Sequence, residues 1–254
     1  MFHFEEGEVF LIDKPIDWTS FDAVNLIRAL IKRFHGLKKL KVGHAGTLDP
    51  LASGLLIICT GKMTKKIDEF QAQMKTYTGT IRLGQTTPTF DLESLPNAFF
   101  PTDGITREMI DEARKKFIGE IMQRPPKFSA IKINGKRAFD YARSDKEIEM
   151  KERLIRIDDF KIDMTRFPDL DFEVVCSKGT YIRSLADDFG KALGNGACLV
   201  ALRRTKTGDF DVKDAWTLDS LREAIIAEGH DGAPENQQKK EPYEHKKFSK
   251  AQTD

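Results

Sequence analysis

The sequence predicts an α/β protein of the α+β type, with a mixed, mainly antiparallel sheet flanked by helices. Short runs rich in β-branched and aromatic residues recur along the chain and are separated by turn residues. Few segments show helical periodicity, and the pair Asn134-Gly135 is typical of a two-residue β-hairpin turn. With 254 residues, the chain is long enough to bury a sizeable core.

The first helix is the most clearly marked element. It follows a buried strand predicted at residues 8–13, which ends at a Lys-Pro pair. Thr19 or Ser20 can cap the helix, and Gly36 can end it. The apolar residues that recur at helical spacing are Val24, Ile27, Ile31 and Phe34.

The rest of the chain is predicted to mix strands and helices. A long glycine-rich loop at residues 43–54 should enter a strand at 55–59, and residues 84–101 should form an irregular connection. The hairpin at Asn134-Gly135 should belong to a unit that projects from the sheet. Further strands are predicted at residues 75–83, 155–164, 171–176 and 198–203, and further helices at 107–117, 137–143 and 181–193.

The composition limits the classes of protein to consider. There are 41 lysines and arginines against 40 aspartates and glutamates, a formal charge of +1, so any polyanion-binding surface must come from local clustering. The three cysteines lie far apart, and no cysteine or histidine pair has metal-ligand spacing. Without a secretory signal or a membrane-length apolar run, the protein is expected to be soluble and cytoplasmic.

Residues 1–228 are predicted to form one domain with an insertion at about 123–143. Residues 229–254 contain almost no apolar side chains. Such a segment cannot bury enough surface to fold, so it is expected to be a disordered polar tail.

Asp49 is the first candidate for chemistry, and two interpretations are open for it. Asp-Pro pairs among glycines are common turn residues. The alternative is that the glycines at 43, 46 and 54 bring backbone close to a ligand and hold one carboxylate in a cleft. An ionised and well-aimed carboxylate can act as a nucleophile or electrostatic catalyst at a sugar carbon.

Three other side chains have the same ambiguity. Arg183 can hold a carboxylate with its planar fork or can be an ordinary helix-surface residue. Tyr77 can stack on an extruded base or can be a half-buried strand residue. His44 can serve a site or be structural, and the other histidines are not placed to form a metal site with it.

Basic residues cluster in three places that could follow an RNA backbone or could be solvated faces. Residues 121–139 contain basic but no acidic side chains, and the same is true of the stretch before the glycine loop. The clusters are Arg124, Lys127, Lys132, Lys136 and Arg137; Lys38, Lys39 and Lys41; and Arg203, Arg204 and Lys206.

Five long motifs occur along the chain: GHAGTLDPLASGLL (43–56), KTYTGTIRLGQTTPTFD (75–91), QRPPKFSAIKINGKRAFDYAR (123–143), CSKGTYIRSLADDFG (176–190) and LRRTKTGDF (202–210). Taken together and in order, they resemble those of the TruB pseudouridine synthases. They span most of residues 8–220, and their number makes coincidence implausible. One similarity is incomplete, because Asp17 in DKPIDWTS stands where the family pattern KPxGxTS has glycine.

This resemblance implies a role for each candidate residue. Asp49 would be the catalytic aspartate, Tyr77 the tyrosine near the target base, and Arg183 the partner of the aspartate. His44 would stabilise the space left by the flipped nucleotide, and Leu202 would line the pocket. Gly43 and the basic residues Lys132, Lys136 and Arg137 would contact the substrate.

The resemblance also implies the reaction. A uridine in the T loop of tRNA, at position 55, would be flipped out and isomerised to pseudouridine without a cofactor or metal ion. The protein would act as a monomer on the T arm, with no membrane and no guide RNA. It resembles a short form without a PUA-like domain, so the insertion and tail lysines such as Lys239 and Lys246 would help to bind RNA.

Overall fold

The computed structural model describes residues 1–129, 131–133, 135–138, 141 and 149–229. It divides into two units, which are described one at a time. Unit 1 contains residues 1–73 and those from 203 onward, and unit 2 contains residues 74–202. The boundary between the units falls within strand β12, Ala197–Thr207. Residues 197–202 of this strand belong to unit 2, and residues 203–207 belong to unit 1.

Unit 1 is built around β3, Ala52–Thr60, whose residues are nearly all buried. β1, Val9–Lys14, and β2, Val42–His44, both pair with β3 in antiparallel register. The other elements are α1 (Ser20–His35), a 3-10 helix (Gly61–Lys66), α2 (Ile67–Ala72), β13 (Phe210–Asp211), a second 3-10 helix (Val212–Asp214) and α5 (Leu218–Glu228).

The ends of α1 are fixed by the predicted residues. The Thr19 hydroxyl accepts a hydrogen bond from the Asp22 N–H at 3.0 Å, and the Asp22 carboxylate accepts one from the Thr19 N–H at 3.0 Å. This capping box satisfies two donors that have no partner within the helix. Gly36 ends the helix at φ 71°, a conformation that costs glycine little.

Unit 2 contains four neighbouring antiparallel strands in the order β4, β11, β10, β7. Alternate residues of β11 are buried, as expected for a strand with one face on a core. Their bounds are Lys75–Leu83, Asp169–Cys176, Arg153–Arg166 and Gly119–Gln123. The remaining elements are β5 (Gln85–Thr86), β6 (Ala98–Phe99), α3 (Arg107–Lys115), β8 (Lys132–Ile133), β9 (Lys136–Arg137) and α4 (Ile182–Ala192).

The predicted mixed, mainly antiparallel α/β fold is confirmed. Every strand pair with a register in the described residues is antiparallel. The predicted hairpin is also present, because Lys132 lies opposite Arg137 and Gly135 has φ 83°. The helix at 137–143 and the tail from 230 fall largely or wholly outside the described residues, and the domain boundary at 228 remains a prediction.

The sequence prediction missed β2, β7, β13, both 3-10 helices, α2, α5 and the strands β5 and β6, which pair within the predicted irregular connection. Most of these elements are too short for a periodic pattern to stand out. α5 has a capping residue, since the Thr217 hydroxyl accepts from the Ser220 N–H at 3.1 Å, but the polar sequence after it hid the helix.

Candidate active site

Asp49 lies half-buried in the loop between β2 and β3 of unit 1. Its carbonyl accepts a hydrogen bond from the Ala52 N–H at 3.0 Å, which closes a turn just before β3. The next residue, Pro50, accepts from the Asp17 N–H at 2.8 Å. Asp17, which replaces the glycine of the family pattern, adopts φ 67°, so the left-handed turn is kept without glycine.

Ser20 holds the residue that precedes Asp49. Its hydroxyl accepts from the Leu48 N–H at 2.8 Å and donates to the Leu48 carbonyl at 3.2 Å. Both groups of Leu48 are thus satisfied by one buried side chain at the start of α1. The helix start therefore sets the position of the loop backbone beside Asp49.

Arg204 fixes both ends of the same loop. It is only 1% exposed, and it donates from Nε to the Leu55 carbonyl at 2.7 Å and from Nη2 to the Gly46 carbonyl at 3.1 Å. A Cβ on Gly54 would lie 2.2 Å from the Arg204 carbonyl oxygen, so only glycine fits there. The close approach at Gly54 is to protein backbone, whereas the sequence had suggested a ligand.

This geometry corrects the third basic cluster. Arg204 is buried and satisfied by carbonyl groups, so it cannot contact an RNA backbone. Arg203 forms a bidentate ion pair with Asp13, with Nη1 2.9 Å from Oδ1 and Nη2 2.7 Å from Oδ2. Lys206 lies 3.7 Å from a carboxylate oxygen of Asp211. Two of its three cations are therefore engaged inside unit 1, and only Lys206 keeps most of its side chain exposed.

Lys14 is a buried cation close to Asp49 that the sequence analysis did not single out. It is 0% exposed, and its Nζ donates to the carbonyls of Pro15 at 2.8 Å and Trp18 at 2.6 Å. Burial lowers the pKa of Lys14 to about 8, while the negative charge of Asp49 opposes that shift and Arg204 adds to it. The charge state of Lys14 is thus coupled to the Asp49 loop.

His44 lies at the end of β2, half-buried, opposite Ile58 of β3. Burial lowers its pKa, and the nearby Arg204 cation lowers it further, against a smaller opposite effect of the Gly46 backbone. Its buried Nδ1 has no hydrogen-bond partner among the described residues. A neutral imidazole at this position suits contact with an uncharged base or sugar better than with phosphate.

Arg183 is the second residue of α4 in unit 2 and is 4% exposed, so it is not a surface arginine. Its Nη2 donates to the Phe128 carbonyl at 3.0 Å and its Nη1 to the Thr89 carbonyl at 3.3 Å. Its Nε lies 3.6 Å from the Asp91 carboxylate, and both side chains are buried. The guanidinium is therefore held in one orientation.

Asp91 is the acidic residue of unit 2 that the sequence analysis missed as a site residue. It ends the motif at 75–91 and is the only acidic residue in it, which was an available signal. Its carboxylate also accepts from the Glu93 N–H at 3.0 Å. The preceding residue, Phe90, has φ 64°, a strained conformation for a residue with a side chain.

The start of α4 is held by residues 123 and 124. The Gln123 side-chain amide accepts from the Tyr181 N–H at 2.8 Å and donates to the Tyr181 carbonyl at 3.0 Å. The Ser184 hydroxyl donates to the Arg124 carbonyl at 2.8 Å. These bonds fix the backbone on both sides of Arg183.

The remaining predicted site residues lie as follows. Tyr77 is buried in β4 opposite Val174, and Leu202 is half-buried in β12. Gly43 lies in β2, where a Cβ would come 2.9 Å from Ile67 Cδ1, the movable end of a side chain, so packing by itself does not require glycine. Of Lys132, Lys136 and Arg137 only the backbone is described, and their contacts with RNA remain a prediction.

The two units each bring part of the predicted site together. In unit 1, Lys14, His44 and Arg204 surround the loop of Asp49; in unit 2, Thr89 and Asp91 surround Arg183. Asp49 and Arg183 belong to different units, and their pairing remains a prediction.

No group of three histidine, cysteine, aspartate or glutamate side chains is placed to hold a metal ion in the described part of the chain. The helices described there are also too short or too polar to cross a membrane.

Comparison with known proteins places this geometry in a family. Residues 32–182 match the model of the TruB family pseudouridylate synthase N-terminal domain, and residues 183–238 match that of the tRNA pseudouridylate synthase B C-terminal domain. The tRNA pseudouridine synthase B of Flavobacterium johnsoniae is 55% identical over 221 residues, which cover 87% of this chain and 96% of that protein. That of Phocaeicola vulgatus is 53% identical over 221 residues, covering 87% and 94%.

Solved structures give the same fold. A chain of "Crystal Structure of a Cbf5-Nop10-Gar1 Complex" matches with a TM-score of 0.64 and 30% identity over 87% of this chain, which spans 55% of that chain. One from "Structure of H/ACA RNP bound to a substrate RNA containing 2'-deoxyuridine" matches with a TM-score of 0.62 and 27% identity, covering 87% and 54%. A family model matched over more than half of the sequence, together with relatives above 50% identity along nearly their whole length, establishes that this chain belongs to the TruB family of pseudouridylate synthases.

Proposed function

We propose that this protein converts the uridine at position 55, in the T loop of tRNA, into pseudouridine, with Asp49 as its catalytic residue. Its family and its similarity to tRNA pseudouridine synthase B make it a tRNA pseudouridine synthase, an isomerase. The observation that supports the role of Asp49 is the loop around it. Ser20 and Arg204 hold the backbone of a short segment with one half-buried carboxylate, and the buried Lys14 interacts electrostatically with that carboxylate.

The reaction exchanges one bond of the base for another. The bond from N1 to C1′ of the ribose breaks, the base turns, and C5 forms a new bond to C1′. The hydrogen displaced from C5 is balanced by a hydrogen gained at N1, so there is no net oxidation or reduction. In one route Asp49 adds to C1′, and in the other it assists a glycal intermediate through proton removal from C2′.

The other residues have supporting roles in this proposal. Arg183, with its guanidinium already fixed in unit 2, orients the Asp49 carboxylate through its planar fork. Tyr77 stacks near the flipped base, and Leu202 lines its pocket. His44, neutral because its pKa is lowered, occupies the space that the flipped nucleotide leaves. Contacts from Gly43 and the 123–143 insertion help to offset the cost of flipping, a few kcal/mol.

A guide-RNA-directed reaction is the competing function, because solved structures of H/ACA complexes share the fold. The identities favour a tRNA enzyme that acts without a guide: 53–55% to the tRNA enzymes over nearly their whole length, against 27–30% to chains of which about half is covered. We therefore propose that the enzyme acts without a guide RNA. That it is a monomer and needs no cofactor is part of the same proposal and follows from the resemblance.

The test is incubation of the purified protein with an unmodified tRNA transcript, without added RNA or metal cofactor, followed by mapping of pseudouridine. We expect one modification, at position 55, and none in a transcript with cytidine there. Modification at another position would refute the proposed site. A requirement for a second RNA would favour the guide-directed function.

A further inference from the structure

Many cations at the surface of the described residues form ion pairs with nearby carboxylates. In unit 2, Arg82 pairs with Asp169 at 2.7 Å, Lys161 with Glu173 at 2.9 Å and Arg124 with Glu152 at 3.0 Å. In unit 1, Lys62 pairs with Glu6 at 2.7 Å. Cations in such pairs offer little free charge to a polyanion, because a phosphate must compete with the carboxylate.

Six exposed lysines of unit 1 form no such pair among the described residues, and five of them, all except Lys32 of α1, lie on two segments that the backbone joins. All are exposed, and none has a carboxylate within 4.0 Å among the described residues. Asp68 and Glu69 follow them in the first turn of α2 but form no ion pair with them there. We call these five residues the lysine ridge: Lys38, Lys39, Lys41, Lys65 and Lys66.

The two halves of the lysine ridge are joined by the backbone. The Gly61 N–H donates to the Lys41 carbonyl at 2.9 Å, so the 3-10 helix with Lys65 and Lys66 begins beside the loop with the other three. Directly after this 3-10 helix, Ile67 packs against Gly43 of β2. The sequence showed one short run of lysines, whereas the fold brings the segment with a second run, more than twenty residues later, beside it.

A short stretch of chain links the lysine ridge to the Asp49 loop. Lys41 directly precedes β2, and Asp49 is eight residues further on, so their Cα atoms are separated by at most about 28 Å. An RNA duplex carries closely spaced phosphates along its whole length, on the order of one charge per 1.7 Å of axis. An RNA that presents a loop nucleotide to Asp49 can therefore pass phosphates over the lysine ridge.

We propose that the lysine ridge is a phosphate-binding surface of unit 1 for the tRNA backbone outside the target nucleotide. The proposal rests on the proposed function. Lysine binds phosphate as a flexible point charge, which suits contacts that position RNA without reading its sequence. An anionic membrane is the less favoured partner, because none of the large apolar side chains found exposed lies in residues 37–41 or 61–66.

The test compares three variants of the full chain. One is Lys65→Ala/Lys66→Ala, and the second replaces all five ridge lysines by alanine. The matched control, Lys115→Ala/Lys161→Ala, removes two exposed lysines that pair with Glu112 and Glu173. The affinity for an unmodified tRNA transcript is measured between 50 and 200 mM salt, with the single-turnover rate at saturating protein.

Log affinity falls as log salt rises, and each phosphate contact that is lost should reduce the magnitude of this negative slope by somewhat under one unit. We expect the magnitude of the slope to decrease by about one unit or more in the double variant and by about two or more in the five-lysine variant. The affinity of the five-lysine variant for tRNA should also be at least about tenfold weaker. Lys65→Arg/Lys66→Arg should retain wild-type binding. The control should be unchanged, and saturating single-turnover rates should stay within about twofold of wild type.

An unchanged slope and affinity in the five-lysine variant would overturn the proposal. Ridge-dependent retention on phosphatidylserine vesicles without any change in tRNA binding would overturn it in favour of a membrane. The proposed function is tested separately by wild-type activity. If wild type modifies tRNA while the ridge variants bind normally, only the ridge proposal fails; if wild type modifies no tRNA, the proposed function fails and the salt slopes still decide the ridge.

Discussion

The Asp49 loop and the start of α4 hold their functional groups in different ways. Around Asp49 the described hydrogen bonds fix backbone: Ser20 binds both groups of Leu48, and Arg204 binds the Gly46 carbonyl. At α4 the functional side chain itself is fixed, because Arg183 donates to two carbonyls and lies beside Asp91. The loop should therefore be sensitive to its supports, and Arg183 to its own shape.

The largest effect is expected from Asp49→Asn. Loss of the nucleophile should abolish isomerisation, whereas tRNA affinity should stay within about tenfold of wild type, because shape and phosphate contacts survive. Pseudouridine mapping and a filter-binding assay measure the two quantities. Turnover by a sequence-verified Asp49→Asn preparation would contradict the assignment.

Next is Arg183→Lys, which keeps the charge but loses the planar fork that reaches two carbonyls and Asp91. We expect a decrease in single-turnover rate of about 100-fold or more, which corresponds to about 2.7 kcal/mol in the barrier. The control is Lys178→Arg, which makes the reverse substitution at an exposed position. A near-normal rate for Arg183→Lys would remove the fork from the mechanism.

Lys14 should make stability depend on pH. Its folded pKa of about 8 lies below the ordinary 10.5, so between these values the unfolded chain binds a proton that the folded chain does not. Stability from this group should therefore rise with pH across that window, by up to about 3 kcal/mol, and be lowest below pH 8.

The measurement is urea unfolding of wild type and Lys14→Met from pH 7 to 10.5. The difference between them should change with pH, whereas Lys32→Met, at an exposed position of α1, should follow wild type. Parallel curves for wild type and Lys14→Met would mean that the lysine has an ordinary pKa.

The comparison of the two regions is sharpened by a pair of serine variants. Ser20→Ala leaves a backbone N–H and C=O of Leu48 without their partner and should cost about 1–3 kcal/mol in stability and about tenfold in single-turnover rate. Ser184→Ala removes one hydrogen bond to the Arg124 carbonyl and none of the contacts of the Arg183 side chain. The single-turnover rate should therefore change less than about threefold. Equal losses of rate in Ser20→Ala and Ser184→Ala would mean that the two regions do not differ in their dependence on supporting bonds.

The smallest effect is expected from Asp17→Gly, which restores the glycine of the family pattern at φ 67°. Relief of backbone strain is partly offset by the greater freedom of glycine in the unfolded chain, so stability should change by less than about 1 kcal/mol. Thermal unfolding measures the change, with Gly36→Ala, at φ 71° in an open position, as a reference for the opposite substitution. A loss above 2 kcal/mol would mean that the Asp17 side chain has a further role.

Local signals were sufficient for much of the fold. The capping box and periodicity of α1, the alternation of β4 and the hairpin around Gly135 all depend on neighbouring residues, and the structure has each of them. The five motifs were sufficient to recognise the family, because long matches in order are specific even where single residues are not.

The sequence by itself determined the fold class, the family and the candidate residues, since periodicity, turn chemistry and motifs are local properties of the chain. Only the tertiary structure decided which polar residues are buried and which cations remain available. Arg203 and Arg204 belonged to a basic run, yet one is paired with Asp13 and the other lies inside unit 1. Partners such as Ser20 for Leu48 or Gly61 for Lys41 meet only when distant segments pack together, and that packing sets charge, burial and pKa.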